Sequence, residues 1–155
     1  MYDVIKLIHL VCAIVWMGGM TFMLLALRPA ALATMEPQPR ARLMVAVMQR
    51  FFRAVAIAVL GLLATGGYMY ASVFRASKAT MGAGVVPLGW ELMAGTGLLM
   101  ALVFGHLYFA GFHKFRRAVA AGEWPQAAKA AGQIHMLVLT NFCLGWLAIA
   151  AVKLL

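Results

Sequence analysis

The chain has 155 residues, of which 65% are hydrophobic and only 11% are charged, and its mean hydropathy is +0.93. This composition excludes a soluble globular domain and predicts an integral membrane protein of one domain. Basic residues placed at membrane boundaries explain the net charge of +9, so no nucleic-acid partner is expected. Because no basic segment precedes the first apolar run, we expect an uncleaved signal anchor there.

The first predicted span covers residues 4–27 and contains an ionisable side chain, His9. At about 1.5 Å per residue it is long enough to cross a hydrocarbon core of about 30 Å. One stripe of this helix, at about 100° per residue, carries His9, Cys12, Trp16, Met20 and Met23. An ionisable group inside a membrane is costly, which predicts that the stripe faces the other helices.

Three further apolar spans are predicted at about 54–74, 88–112 and 130–152. Each should be a helix, because only helices and closed barrels satisfy the backbone in lipid. The predicted fold is therefore an all-α, four-helix membrane bundle. Arg28-Pro29 is predicted to end the first helix, the basic segment from Arg40 to lie at the interface, and residues 75–87 and 114–129 to form connections.

Small side chains on one face of the second span predict close helix packing, or alternatively room for a flat ligand. The residues on this face are Ala54, Ala58, Gly61, Thr65, Tyr68 and Ser72, all of them small except the tyrosine.

The basic residues favour one orientation of the bundle. Of the 13 lysines and arginines, nine fall in the first and third connections and four on the opposite side. Since cytoplasmic loops carry the excess of positive charge, we predict both termini outside the cytoplasm.

Depth along the helices predicts two clusters of residues able to hold a cofactor. In the outer half of the bundle His9 and Met93 have the same predicted depth in the membrane, and in the inner half His106 and His135 do. Imidazole and thioether ligands on facing helices suit haem b, so His9/Met93 and His106/His135 are both candidate axial pairs. Haem also needs cations near its propionates and aromatic side chains beside its ring. Arg53 is a candidate for the first role and Trp16 for the second. No CxxCH motif is present, so covalent c-type haem is excluded.

Two alternatives stay open beside haem. Soft ligands on the first helix suit copper, with Cys12, Met20 and Met23 joining His9. In the other alternative the chain is a cofactor-free assembly or structural subunit, whose histidines only join helices. Only four acidic residues occur, and no constellation for conventional hydrolysis is visible.

Short motifs on the first and third helices indicate a family resemblance. The run Lys6-Leu-Ile-His9 followed by Val15-Trp16-Met17-Gly18-Gly19, with Pro87-Leu-Gly-Trp90 and Gly105-His106-Leu-Tyr108 on the third helix, resembles the CopD copper-resistance family and the related HemJ protoporphyrinogen oxidases. The resemblance implies a multi-pass protein of the bacterial inner membrane. It also implies that His9 is the first-helix histidine proposed as a haem ligand in HemJ, and it brings copper handling as the CopD-type alternative.

One departure from the resemblance concerns the third helix. HemJ carries a lysine early in that helix, whereas this chain has no lysine between Leu88 and Phe112. Protoporphyrinogen oxidation is therefore not expected. The expected partners are the lipid bilayer and either a redox partner or a second copy of the chain.

Overall fold

The computed structural model describes all 155 residues and consists of four long helices without any strand. They are α1 (Tyr2–Thr34), α2 (Pro37–Met81), α3 (Leu88–Ala121) and α4 (Trp124–Leu154). Each helix is long and apolar enough to cross a membrane. The prediction of an all-α chain with four membrane-spanning helices is confirmed to that extent.

The first helix does not end at Arg28-Pro29 as predicted. A π-helical segment, Met23–Leu27, precedes the proline, and α1 then continues to Thr34. The N–H of Arg28 donates to the carbonyl of Met23, five residues back. A regular helix clashes with a proline ring at the carbonyl four residues earlier, and the wider turn displaces that carbonyl.

The basic segment from Arg40 is also continuous with the second span. No glycine interrupts α2 between Pro39 and Gly61, and the helix is 45 residues long, about 67 Å at 1.5 Å per residue. Met44, Met48 and Phe52 recur every fourth residue and are buried against the other helices. This packing places the segment against the other helices, whereas it was predicted to lie at the membrane interface before the second span.

The predicted connections are mostly helical as well. The second and third helices are joined by only residues 82–87, and the third and fourth by residues 122–123. Gly82 and Gly122 have φ of 72° and 71°, a left-handed conformation that ends a helix and that glycine adopts without strain. The basic segments at the ends of α1 and α3 and at the starts of α2 and α4 therefore continue the helices beyond the predicted spans.

The helices pack as two pairs. Contacts are most extensive between α1 and α2 and between α3 and α4, and sparser between the pairs. A Cβ at Gly61 would lie 2.7 Å from the sulfur of Cys12, so the small-residue face of α2 serves close packing against α1. Similarly, a Cβ at Gly89 would lie 2.6 Å from the carbonyl oxygen of Ala151, which fixes the crossing of α3 and α4.

An aromatic layer fills the middle of the bundle. The ring of Phe52 meets Phe104 and Phe112 edge to face, with centroids 6.0 and 5.3 Å apart. Trp16 joins the layer through a similar contact with Phe104 at 6.0 Å. By position along the helices, the layer separates two cavities. One is lined by His9, Trp90 and Met93 and is called the outer cavity, and the other is lined by Arg28, Arg40 and His135 at the basic end and is called the inner cavity.

Candidate functional site

The outer cavity lies among all four helices and has a volume of about 570 Å³. This is within the range of about 300–1,000 Å³ that is usual for small-molecule and cofactor sites. Its lining is mostly hydrophobic and contains no Asp, Glu, Lys or Arg. The polar exceptions are few and include His9, Tyr70 and Trp90. Such a cavity suits a large apolar ligand held by a small number of polar contacts.

A hydrogen bond to α2 fixes the ring of His9. Nδ1 of His9 lies 2.9 Å from the hydroxyl oxygen of Thr65, and that hydroxyl donates its single proton to the carbonyl of Gly61 at 2.6 Å. Nδ1 must then carry the proton and donate to Thr65, which leaves Nε2 as the free acceptor. The only hydrogen bond of the His9 side chain is the one through Nδ1, so Nε2 has no partner in the chain. A histidine that ligates a metal commonly has its other ring nitrogen oriented in this way.

Other predicted residues of the outer cluster line the same cavity. Met93 lines it from α3. Trp16, which belongs to the aromatic layer, lines it from α1. Gly66 gives the imidazole room, because a Cβ there would lie 3.2 Å from Cε1 of His9. The structure thus brings His9, Met93 and Trp16 to one cavity.

The outer cavity opens sideways. Its four exposed lining residues lie only on α2 and α3: Leu63, Gly67, Ala94 and Leu98. These two helices belong to different pairs, between which contacts are sparse. The opening therefore faces the region that lipid would occupy around a membrane-spanning bundle.

The two histidines of the predicted inner pair do not meet in one cavity. His106 is exposed on the surface of α3 and lines neither cavity. His135 lines the inner cavity, of about 240 Å³, and its Nδ1 atom is buried without a hydrogen-bond partner. Arg53, the predicted propionate partner, is exposed and lines neither cavity.

The predicted copper ligands have three different surroundings. Cys12 packs against Gly61, Met20 is buried in the hydrophobic core, and Met23 lines the inner cavity. No group of three or more His, Cys, Asp or Glu side chains is arranged to hold a metal ion. A site on His9 would therefore depend on its imidazole together with a ligand of another kind.

Thr65 was predicted only as part of the small-residue face of α2, and its hydrogen bond to His9 was not expected. The signal was a hydroxyl among small residues at a depth near that of a membrane histidine, where a hydrogen bond between helices is favoured. No family model matches the chain, and no curated protein or solved structure matches it either.

Proposed function

We propose that the outer cavity binds haem b and that the protein serves electron transfer or a redox reaction in a membrane. The observation that carries the proposal is the imidazole of His9, oriented by Thr65, at an apolar cavity among four helices. His9 and Met93, which line the same cavity, are the residues that would hold the haem iron. The resemblance to HemJ, whose first-helix histidine is a proposed haem ligand, supports the same residue.

The properties of the lining fit this group. A haem supplies a one-electron redox centre whose potential depends on its axial ligands and on burial, and a thioether ligand raises that potential. Trp16 and Trp90 offer aromatic surface to a planar ring, while Gly67 and Gly97 leave open space beside the backbone. The lateral opening gives an apolar ligand a route from the bilayer.

The carboxylates of a haem have no basic partner inside the cavity, because no lysine or arginine lines it. Burying a carboxylate without a partner is costly, so a haem bound here would need partners for its propionates from outside this lining. Arg53 is not proposed as their partner, since it lies away from this lining.

The direct test is the absorption spectrum of the purified protein, oxidised and then reduced, after expression with an adequate haem supply. We expect a Soret band, sharper visible bands on reduction, and a pyridine haemochrome of the b type. Metal analysis of the same sample supplies the comparison. A protein without haem that retains stoichiometric copper would contradict the proposal in favour of copper handling, and one without either would favour a cofactor-free subunit.

We also propose an orientation with both termini outside the cytoplasm of a bacterial inner membrane, because the basic helix ends lie at the side of the α1–α2 and α3–α4 turns. In a variant with Cys12 and Cys143 replaced by alanine, two exposed positions are changed singly, Met81→Cys and Gln126→Cys. An impermeant maleimide added to intact cells is expected to label Cys at 81 and not at 126.

Disrupted cells provide the matched measurement, in which both positions should react because both side chains are exposed. Labelling at position 126 but not at position 81 in intact cells would contradict the proposed orientation.

A further inference from the structure

The inner cavity has a chemistry different from that of the outer one. It lies at the basic end of the bundle, and three of its lining side chains are basic: Arg28 from α1, Arg40 from α2 and His135 from α4. No acidic residue lines it. We propose that this cavity binds the phosphate of an anionic phospholipid, a site separate from the proposed haem cavity.

The charges of this cavity are not neutralised within the chain. The single ion pair of the protein, between Lys6 and Asp3, is at the opposite end. Arg28 makes no side-chain hydrogen bond, and Arg40 donates only to the carbonyl of Met35 at 3.3 Å. Two partly buried arginines without a carboxylate partner favour an anion, and guanidinium matches phosphate oxygens well.

A second, independent observation is the unpaired nitrogen of His135. Its Nδ1 atom is fully buried and has no hydrogen-bond partner. Buried polar atoms in folded proteins nearly always have a partner, so the side chain of His135 has hydrogen-bonding capacity that the chain itself does not use.

Backbone dipoles add to this positive field. The first turns of α2 and α4 both line the cavity, through Pro37 and Arg40 on one side and Trp124 and Ala127 on the other. Their contribution is that of the helix dipole, which favours anions at a helix N-terminus, because the N–H groups of Arg40, Trp124 and Ala127 already donate to backbone carbonyls. The acids that precede these helices, Glu36 and Glu123, are exposed and do not line the cavity.

The remaining lining argues for a lipid over free phosphate. Most of it is hydrophobic, including Met44, Phe115 and Val138, so an occupant needs an apolar part beside its anionic group. A phospholipid of the inner leaflet has this combination, with its phosphate at the level of the basic residues. The cavity volume of about 240 Å³ suits a headgroup and the start of the chains, not a whole lipid.

Native mass spectrometry of the detergent-purified full chain tests the proposal, with phosphatidylglycerol and phosphatidylcholine as probes. We expect phosphatidylglycerol to bind at least tenfold more tightly, and Arg28→Gln to weaken it about tenfold, as the loss of one charged hydrogen bond implies. Arg116→Gln removes the same charge from an exposed position outside the cavity and should leave binding unchanged.

A variant that keeps both arginines of the cavity, paired with the same substitution elsewhere, distinguishes a loss of lipid binding from a loss of folding. Ala128 is exposed at the mouth of the cavity, so Ala128→Trp should block phosphatidylglycerol, whereas Ala120→Trp, exposed elsewhere, should not. Equal retention of the two lipids, or equal losses in Arg28→Gln and Arg116→Gln, would overturn the site. Displacement of phosphatidylglycerol by millimolar inorganic phosphate would overturn the lipid assignment.

Discussion

His9→Ala is expected to abolish haem binding, leaving less than about a tenth of the wild-type haem per protein. His9 is the only histidine that lines the outer cavity, and alanine offers no ligand to an iron ion. The fold should survive, because His9 is only partly buried and makes one side-chain hydrogen bond, to Thr65. The measurement is haem content by pyridine haemochrome, with the thermal midpoint recorded on the same sample.

Thr65→Val offers a graded version of this test, since it keeps the shape of the side chain and removes the hydroxyl that orients Nδ1. Loss of such an outer hydrogen bond to a metal ligand typically costs about 10–100-fold in affinity. His113→Ala is the matched control, because His113 is exposed and lines neither cavity. Wild-type haem content in His9→Ala would remove the outer cavity as the haem site.

The helices themselves were predictable because apolar length alone identifies them, but their ends were not. Hydropathy indicates where a helix meets water, but it does not indicate whether the helix continues beyond that point. Residues 37–53 are basic enough to resemble a surface segment, yet Met44 and Met48 supply a buried stripe that keeps them helical. Pro29 looked like a terminus because the π-helical turn before it has no signature in a single sequence.

The structure places the residues of the two predicted axial pairs differently, His9 and Met93 at one cavity and His106 and His135 apart, and the reason is physical. Depth follows from residue number, but the direction in which a side chain points needs a contrast between the two faces of a helix. His9 shares its face with Trp16 and Met20, both of which are buried. His106 shares its face with Leu98 and Leu102, which are exposed. In a bilayer both faces are apolar, because lipid is as apolar as a protein core, so the sequence of α3 does not reveal its inner face.

Phe52→Ala is expected to cause a large loss of stability, about 3 kcal/mol, because it empties the centre of the aromatic layer. Phe52 is 1% exposed and has ring contacts with Phe104 and Phe112 at 6.0 and 5.3 Å. Phe→Ala in a water-soluble core costs about 3–5 kcal/mol, and the lower value applies where lipid replaces water as the surrounding solvent. The measurement is unfolding of the haem-free protein in mild detergent by a denaturing detergent.

Phe22→Ala is the matched control for that measurement. The same side chain at position 22 is 59% exposed and has no aromatic partner, so its removal opens no cavity and should change stability by less than about 0.5 kcal/mol. The difference between the two variants then reports the packing of the layer, since both lose the same atoms. Equal stability of Phe52→Ala and Phe22→Ala would mean that the layer does not hold the two helix pairs together, and the separation between the outer and inner cavities would lose its structural basis.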